Sequence, residues 1–101
     1  MTTLSTHVLD AAAGAPAAAL TVTLDGDRTA VTGADGRVRF DGEVEPGTHT
    51  LDYATGAWFA AQDRETFFPS AQLTFEVEPD RSHLHVALLL SPFSYTAYRG
   101  S

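Results

Sequence analysis

The histidines at positions 83 and 85 are the side chains best suited to chemistry in this 101-residue sequence. A single residue separates them, and in a β-strand that spacing places both on one face. Imidazole titrates near neutral pH, so such a pair can act as a general base and as a hydrogen-bonding partner. The same face continues with Ala87 and Leu89, which is unusual for a face turned to water. The pattern predicts that this face is covered, with another subunit as the natural candidate.

A third histidine, His7, lies in a segment with the same strand pattern. Residues 4–9 alternate between two faces, and His7 points away from the face that carries the core side chains. If this strand and that of His85 belong to one sheet, both imidazoles project from the same outer face. The residues alone leave two other interpretations open. Either the histidines lie at a surface or interface without doing chemistry, or His83 and His85 bind a metal ion.

Three further positions carry groups suited to substrate binding or catalysis. Arg37 directly follows an Asp-Gly turn, and its guanidinium offers a planar fork of donors, although an arginine beside a hairpin turn usually ends in solvent. Tyr98 and Ser101 belong to a chain end, Tyr-Arg-Gly-Ser, that follows an aromatic, β-prone segment. Ser101 also carries the ionised α-carboxylate. On composition alone, this end is equally well interpreted as an ordinary tail.

The elements that position these residues are predicted to be strands. Turn-forming residues recur roughly every eight to twelve positions, a spacing typical of β-sandwiches and barrels. Strands are predicted over residues 4–9, 20–24, 29–32, 37–40, 48–54, 72–78, 83–90 and 93–98. Residues 57–65 are the one helical candidate, too short to be stable unless packed on a sheet edge. The sequence predicts one all-β domain over residues 1–101, a small sandwich of about eight strands in two sheets with one short helix.

Composition excludes several classes of function. The absence of cysteine removes disulfides, thiolate nucleophiles and zinc–thiolate sites. All six basic residues are arginines, and 13 carboxylates bring the net charge to −7, so nucleic-acid binding is not expected. No apolar run approaches the ~18 residues of a membrane span. The first seven residues lack the basic and apolar regions of an export signal, so we expect a cytoplasmic protein without membrane association.

Several segments together resemble one enzyme family. They are LSTHVLD at residues 4–10, ADGR at 34–37, TFFP at 66–69, HLHVALLLS at 83–91 and YTAYRGS at 95–101. With these motifs the chain is similar, over essentially its whole length, to the 5-hydroxyisourate hydrolases, the transthyretin-related enzymes of urate (purine) degradation. The terminal Tyr-Arg-Gly-Ser is the most specific motif, since it separates the hydrolases from the hormone-carrying transthyretins.

The resemblance implies a transthyretin-like sandwich assembled as a homotetramer, a dimer of dimers with active sites in a channel between the dimers. It implies hydrolysis of 5-hydroxyisourate to 2-oxo-4-hydroxy-4-carboxy-5-ureidoimidazoline by water attack on a ring amide carbonyl, with no metal or organic cofactor. The family's catalytic positions fall on four residues: His7, Arg37, His85 and Ser101. The substrate-binding positions fall on His7, Arg37 and Tyr98.

Two other classes of function remain open beside this one. A transthyretin-like carrier would bind a small aromatic ligand in the same channel without turning it over. A structural or adhesion sandwich would have neither ligand nor closed assembly. The family pattern gives no role to His83, although its position in the strand keeps it close to His85.

Overall fold

The alternation of apolar and polar residues produces nine strands and one helix in the computed structural model, which describes residues 1–100. The elements are β1 (Thr3–Asp10), β2 (Ala15–Pro16), β3 (Thr21–Leu24), β4 (Arg28–Val31), β5 (Arg37–Arg39), β6 (Gly47–Tyr53), α1 (Thr55–Ala60), β7 (Ala71–Val77), β8 (His83–Ser91) and β9 (Ser94–Arg99). All eight predicted strands are present, with ends that shift by no more than one residue. The two-residue β2 is the addition.

The strands form two sheets. One sheet has the order β2-β1-β8-β9, with β5 also paired to β1, and the other has the order β4-β3-β6-β7. Strands β1 and β8 run parallel, with Thr3 opposite His83 and Asp10 opposite Leu90. The other strand pairs are antiparallel. The first sheet, with β1 and β8 at its centre, carries all the predicted site residues that the structure describes.

The hydrophobic core lies between the two sheets. In β1 every second residue is buried, and Leu4 and Val8 are among the most deeply buried. Burying a leucine or valine side chain contributes about 1.5–3 kcal/mol. The Thr6 hydroxyl lies 2.8 Å from the hydroxyl of Tyr53 on β6, so one buried hydrogen bond joins the sheets. Burial raises the pKa of Tyr53 to about 12. The predicted all-β sandwich is confirmed.

The helix differs from its predicted bounds, since it covers Thr55–Ala60 rather than residues 57–65. It begins earlier because Gly56 fits against Pro69, whose carbonyl oxygen would lie 2.6 Å from any Cβ at position 56. It ends earlier because Asp63 adopts a left-handed backbone, with φ of 54°, that a helix does not continue. No helix within residues 1–100 is long and apolar enough to cross a bilayer.

Candidate active site

The register of the first sheet brings the predicted site residues to one outer face. His7 on β1 lies opposite Arg37 on β5, and on its other side it lies opposite Ala87 on β8. Ala87 in turn lies opposite Tyr98 on β9. Residues directly opposite each other point to the same side of a sheet. Arg37, His7 and Tyr98 therefore share one row that crosses four strands.

His85 lies in the neighbouring row, on the same face. Its ring centroid is 6.4 Å from that of His7. Gly100 lies beside it, because its backbone N–H donates to the carbonyl oxygen of His85 at 2.8 Å. Ser101 lies outside the described residues. Of the five predicted site residues, the four that are described lie together.

This face is open in the single chain. Tyr98 is 53% exposed, and the side chain of Arg37 is 56% exposed. The Nε of Arg37 lies 3.9 Å from Asp35 Oδ2, a loose surface pair that leaves the guanidinium able to bind another anion. His7 and His85 are half-buried. The face therefore offers a cation, two imidazoles and a phenol to a ligand or to another chain.

The surroundings of His85 favour its neutral form. Burial lowers its pKa, and the positive charge of Arg37 lowers it further, with smaller effects from His7 and His83. A base must be unprotonated to accept a proton, so a lowered pKa keeps His85 ready at neutral pH.

Sequence reasoning missed Ser5, which contacts two histidines at once. Its hydroxyl oxygen lies 2.7 Å from Nδ1 of His85 and 3.0 Å from Nε2 of His83. The hydroxyl of Thr3 lies 2.6 Å from Nδ1 of His83. We call Thr3, His83, Ser5 and His85 the serine–histidine chain. Ser5 shares the strand face of His7, but only the parallel register of β1 and β8 shows which histidines it meets.

The metal interpretation gains no support from this geometry. Across residues 1–100, no three or more His, Asp or Glu side chains cluster in a way that would hold a metal ion. The ring nitrogens of His83 and His85 that face each other are instead joined through the Ser5 hydroxyl. The arrangement is a hydrogen-bonded pair of histidines with Arg37 on the nearby strand β5, a set of groups suited to acid–base chemistry.

Comparison with known proteins gives consistent matches. Residues 4–100 match the family model described as "HIUase/Transthyretin family". The 5-hydroxyisourate hydrolase of Mus musculus is 37% identical over 111 residues, which cover 97% of this chain and 94% of the relative. The solved structure of the Klebsiella pneumoniae 5-hydroxyisourate hydrolase has a TM-score of 0.92 and 39% identity, with 100% of both chains covered. A sea bream transthyretin solved in complex with thyroxine has a TM-score of 0.88 and 31% identity, with 96% of this chain and 93% of that chain covered.

Proposed function

This chain belongs to the HIUase/Transthyretin family, and from that membership we propose that it hydrolyses 5-hydroxyisourate in the degradation of urate. The product is 2-oxo-4-hydroxy-4-carboxy-5-ureidoimidazoline. Water adds across a ring amide: its oxygen bonds to the carbonyl carbon, the C–N bond breaks and the ring nitrogen takes a proton. The observation that carries the proposal is the proximity of the two imidazoles, 6.4 Å apart, with Arg37 in the row of His7.

Such a hydrolysis needs a base, a group that stabilises developing charge and groups that hold the substrate, but no covalent nucleophile. His7 and His85 supply the base and its hydrogen-bonding partner. A neutral imidazole takes one proton from the attacking water and then returns it to the leaving ring nitrogen, so the protein ends the cycle unchanged. Ser101 orients the water in this scheme, a role that rests on the family's terminal motif.

Arg37 and Tyr98 bind the substrate on either side of this centre. The guanidinium matches the oxygens of a purine-like ring and the negative charge that forms on the carbonyl oxygen during attack. One such stabilising group typically contributes ~10²–10³-fold to the rate. The protein as a whole is acidic, with a net charge of −7, so the local charge of this face governs substrate binding.

The assembly we propose is a homotetramer, a dimer of dimers in which facing sheets enclose the site. The support is the character of the face, where the half-exposed Tyr98 and the half-buried Leu89 lie beside the polar site. A closed channel would exclude bulk water and strengthen the contacts of Arg37 with substrate. The cytoplasmic location predicted from the sequence stays a prediction.

The decisive experiment follows the decay of 5-hydroxyisourate by ultraviolet absorbance. The compound is generated from urate by urate oxidase, with and without this protein. We expect decay far faster than the spontaneous reaction. The alternative is a carrier, suggested by the likeness to a transthyretin that binds thyroxine. Saturable binding of thyroxine with no acceleration of the decay would favour that carrier and contradict the hydrolase.

A further inference from the structure

The serine–histidine chain ends beside the carbonyl oxygen of Ser82, a group that can only accept hydrogen bonds. The hydroxyl of Thr3 lies 3.3 Å from the carbonyl oxygen of Ser82 and 2.6 Å from Nδ1 of His83. A threonine hydroxyl has a single proton to donate. When that proton is directed to the carbonyl, the short contact with His83 requires Nδ1 of His83 to be the donor.

The same order of donors and acceptors then continues along the rest of the serine–histidine chain. A neutral His83 protonated on Nδ1 has a lone pair on Nε2, which accepts the hydroxyl proton of Ser5 across 3.0 Å. Ser5 has then used its proton, so its oxygen accepts from Nδ1–H of His85 across 2.7 Å. With this order of donors and acceptors, the proton of a neutral His85 is on Nδ1. Its lone pair is on Nε2, the nitrogen to which the structure gives no hydrogen-bond partner within residues 1–100.

We propose that Thr3, His83 and Ser5 are positioning residues that hold His85 in the tautomer whose Nε2 accepts the proton of the attacking water. This inference rests on the proposed hydrolysis and assigns the role of general base to His85 rather than to His7. Within residues 1–100 no side chain forms a comparable hydrogen bond to a ring nitrogen of His7. A base locked in the wrong tautomer presents an N–H to the water and cannot accept its proton.

The test uses three variants and a control. Ser5→Ala removes both hydrogen bonds, Ser5→Thr keeps the hydroxyl, and His83→Phe removes the acceptor that directs the Ser5 proton. Thr23→Ala is the control, because Thr23 lies on the other sheet, where its hydroxyl forms an exposed 3.2 Å contact with the hydroxyl of Thr29. Imidazole ¹⁵N NMR at neutral pH reports which nitrogen of His85 carries the proton. The decay of 5-hydroxyisourate gives kcat and KM.

We expect Nδ1–H in the parent protein and in Ser5→Thr, and a shift toward Nε2–H in Ser5→Ala and His83→Phe. We expect kcat to fall roughly tenfold in those two variants with KM little changed, because base catalysis is weakened while substrate binding is kept. Thr23→Ala should match the parent in both measurements. His83→Phe provides a second test should Ser5→Ala fail to fold.

Different results would overturn the proposed hydrolysis and the proposed positioning role. No turnover by the parent protein would overturn the proposed hydrolysis, while the NMR would still report the tautomer of His85. A parent that turns over substrate with its proton on Nε2 of His85 would overturn the positioning role. An unchanged kcat in Ser5→Ala would also overturn the positioning role. A fall in kcat with an unchanged tautomer of His85 would overturn it as well, because Ser5 would then affect catalysis by another route.

Discussion

Gly100 lies where the ring of His85 leaves no room for a side chain. A Cβ at position 100 would lie 2.5 Å from Cδ2 of His85. The ring cannot move aside freely, because Ser5 holds its Nδ1. The terminal Tyr-Arg-Gly-Ser motif therefore needs glycine at this position, because a side chain there would collide with a ring of the site.

We expect Gly100→Ala to lower turnover of 5-hydroxyisourate by roughly 10²-fold, since a misplacement of about 1 Å in a catalytic group has an effect of that size. Steady-state kinetics measure the loss. The melting temperature is the control, because Gly100 is not one of the residues of the hydrophobic core. Full activity in the substituted protein would show that the ring of His85 need not keep this position.

His49, on the other sheet, is held between two acceptors. Its Nδ1 lies 2.6 Å from Oδ2 of Asp25, and its Nε2 lies 2.7 Å from the carbonyl oxygen of Glu45. Only the imidazolium donates to both, so the hydrogen bond to Asp25 raises the pKa of His49 above its ordinary value of 6.5. Its contribution to stability is therefore complete below about pH 6.5 and is lost as pH rises through the raised pKa.

Asp25→Asn tests this pH dependence by removing the charge that faces His49. Asparagine is chosen because it tolerates the left-handed backbone of position 25, where φ is 52°. We expect the stability difference between parent and variant to be largest near pH 6 and to shrink toward pH 9. Urea unfolding across that range measures it. Subtracting the variant removes the effect of other titrating groups, His85 included. A difference that stays constant with pH would contradict the proposed role of His49.

At the level of elements, one ion pair ties the end of β1 to the segment after α1. Nη1 of Arg64 donates to Oδ2 of Asp10 at 2.7 Å. Asp10 also accepts from the backbone N–H groups of Ala12 and Ala13, which closes the turn after β1. The hydrogen bond from Arg64 lowers the pKa of Asp10, so this contribution to stability is present near neutral pH and is lost as pH falls through the lowered pKa.

We expect Arg64→Met to lower the free energy of unfolding at pH 7 by roughly 2 kcal/mol. Removing one partner of a fully buried pair has a larger effect, but Arg64 is partly solvated. Arg81→Met is the matched control, since Arg81 lies 3.6 Å from the exposed Glu78 and should contribute little. Equal destabilisation by both substitutions would indicate that the Asp10 pair is no stronger than a surface pair.

The sequence predicted the strands well because a period of two is a local property. It placed His7 and His85 on outer faces, and it predicted that they would lie close together only if their two strands belonged to the same sheet. That condition is fulfilled by the parallel pairing of β1 with β8, between residues some 80 positions apart. Such pairing depends on tertiary packing, and alternation does not encode it. The contacts of Ser5 therefore had no signal beyond the face on which it lies.

The predicted bounds of the helix were wrong for a related reason. Residues 57–65 contain good helix formers, and local propensity favoured the whole segment. The observed end depends on the backbone turn at Asp63, and the start depends on Pro69 meeting Gly56. Both are contacts or conformations set by the surrounding fold. They shift the helix without altering the sheet that carries the site.

In the proposed tetramer, copies of the chain cover the sheet face that carries His7 and His85. Leu89 lies on that face, half-buried, opposite Thr96 on β9. We expect Leu89→Glu to prevent assembly, because it would place a charge in the apolar part of the proposed interface. Sedimentation velocity should show the parent at about four times the 10.8 kDa chain mass and the variant at a lower mass.

Thr23→Glu is the matched control, since it places the same charge on the outer face of the other sheet and should leave the assembly intact. Turnover should fall with dissociation in Leu89→Glu, although the histidines and Arg37 are unchanged. A fully active Leu89→Glu monomer would show that one chain suffices for the site.

In the proposed reaction His85 takes the proton of the attacking water, and His85→Ala removes that base. The measurement is kcat/KM for 5-hydroxyisourate decay, compared between parent and variant at equal melting temperature. We expect a loss of roughly 10²-fold or more, the usual effect of removing a general base. A correctly folded His85→Ala protein with the parent's kcat/KM would contradict it.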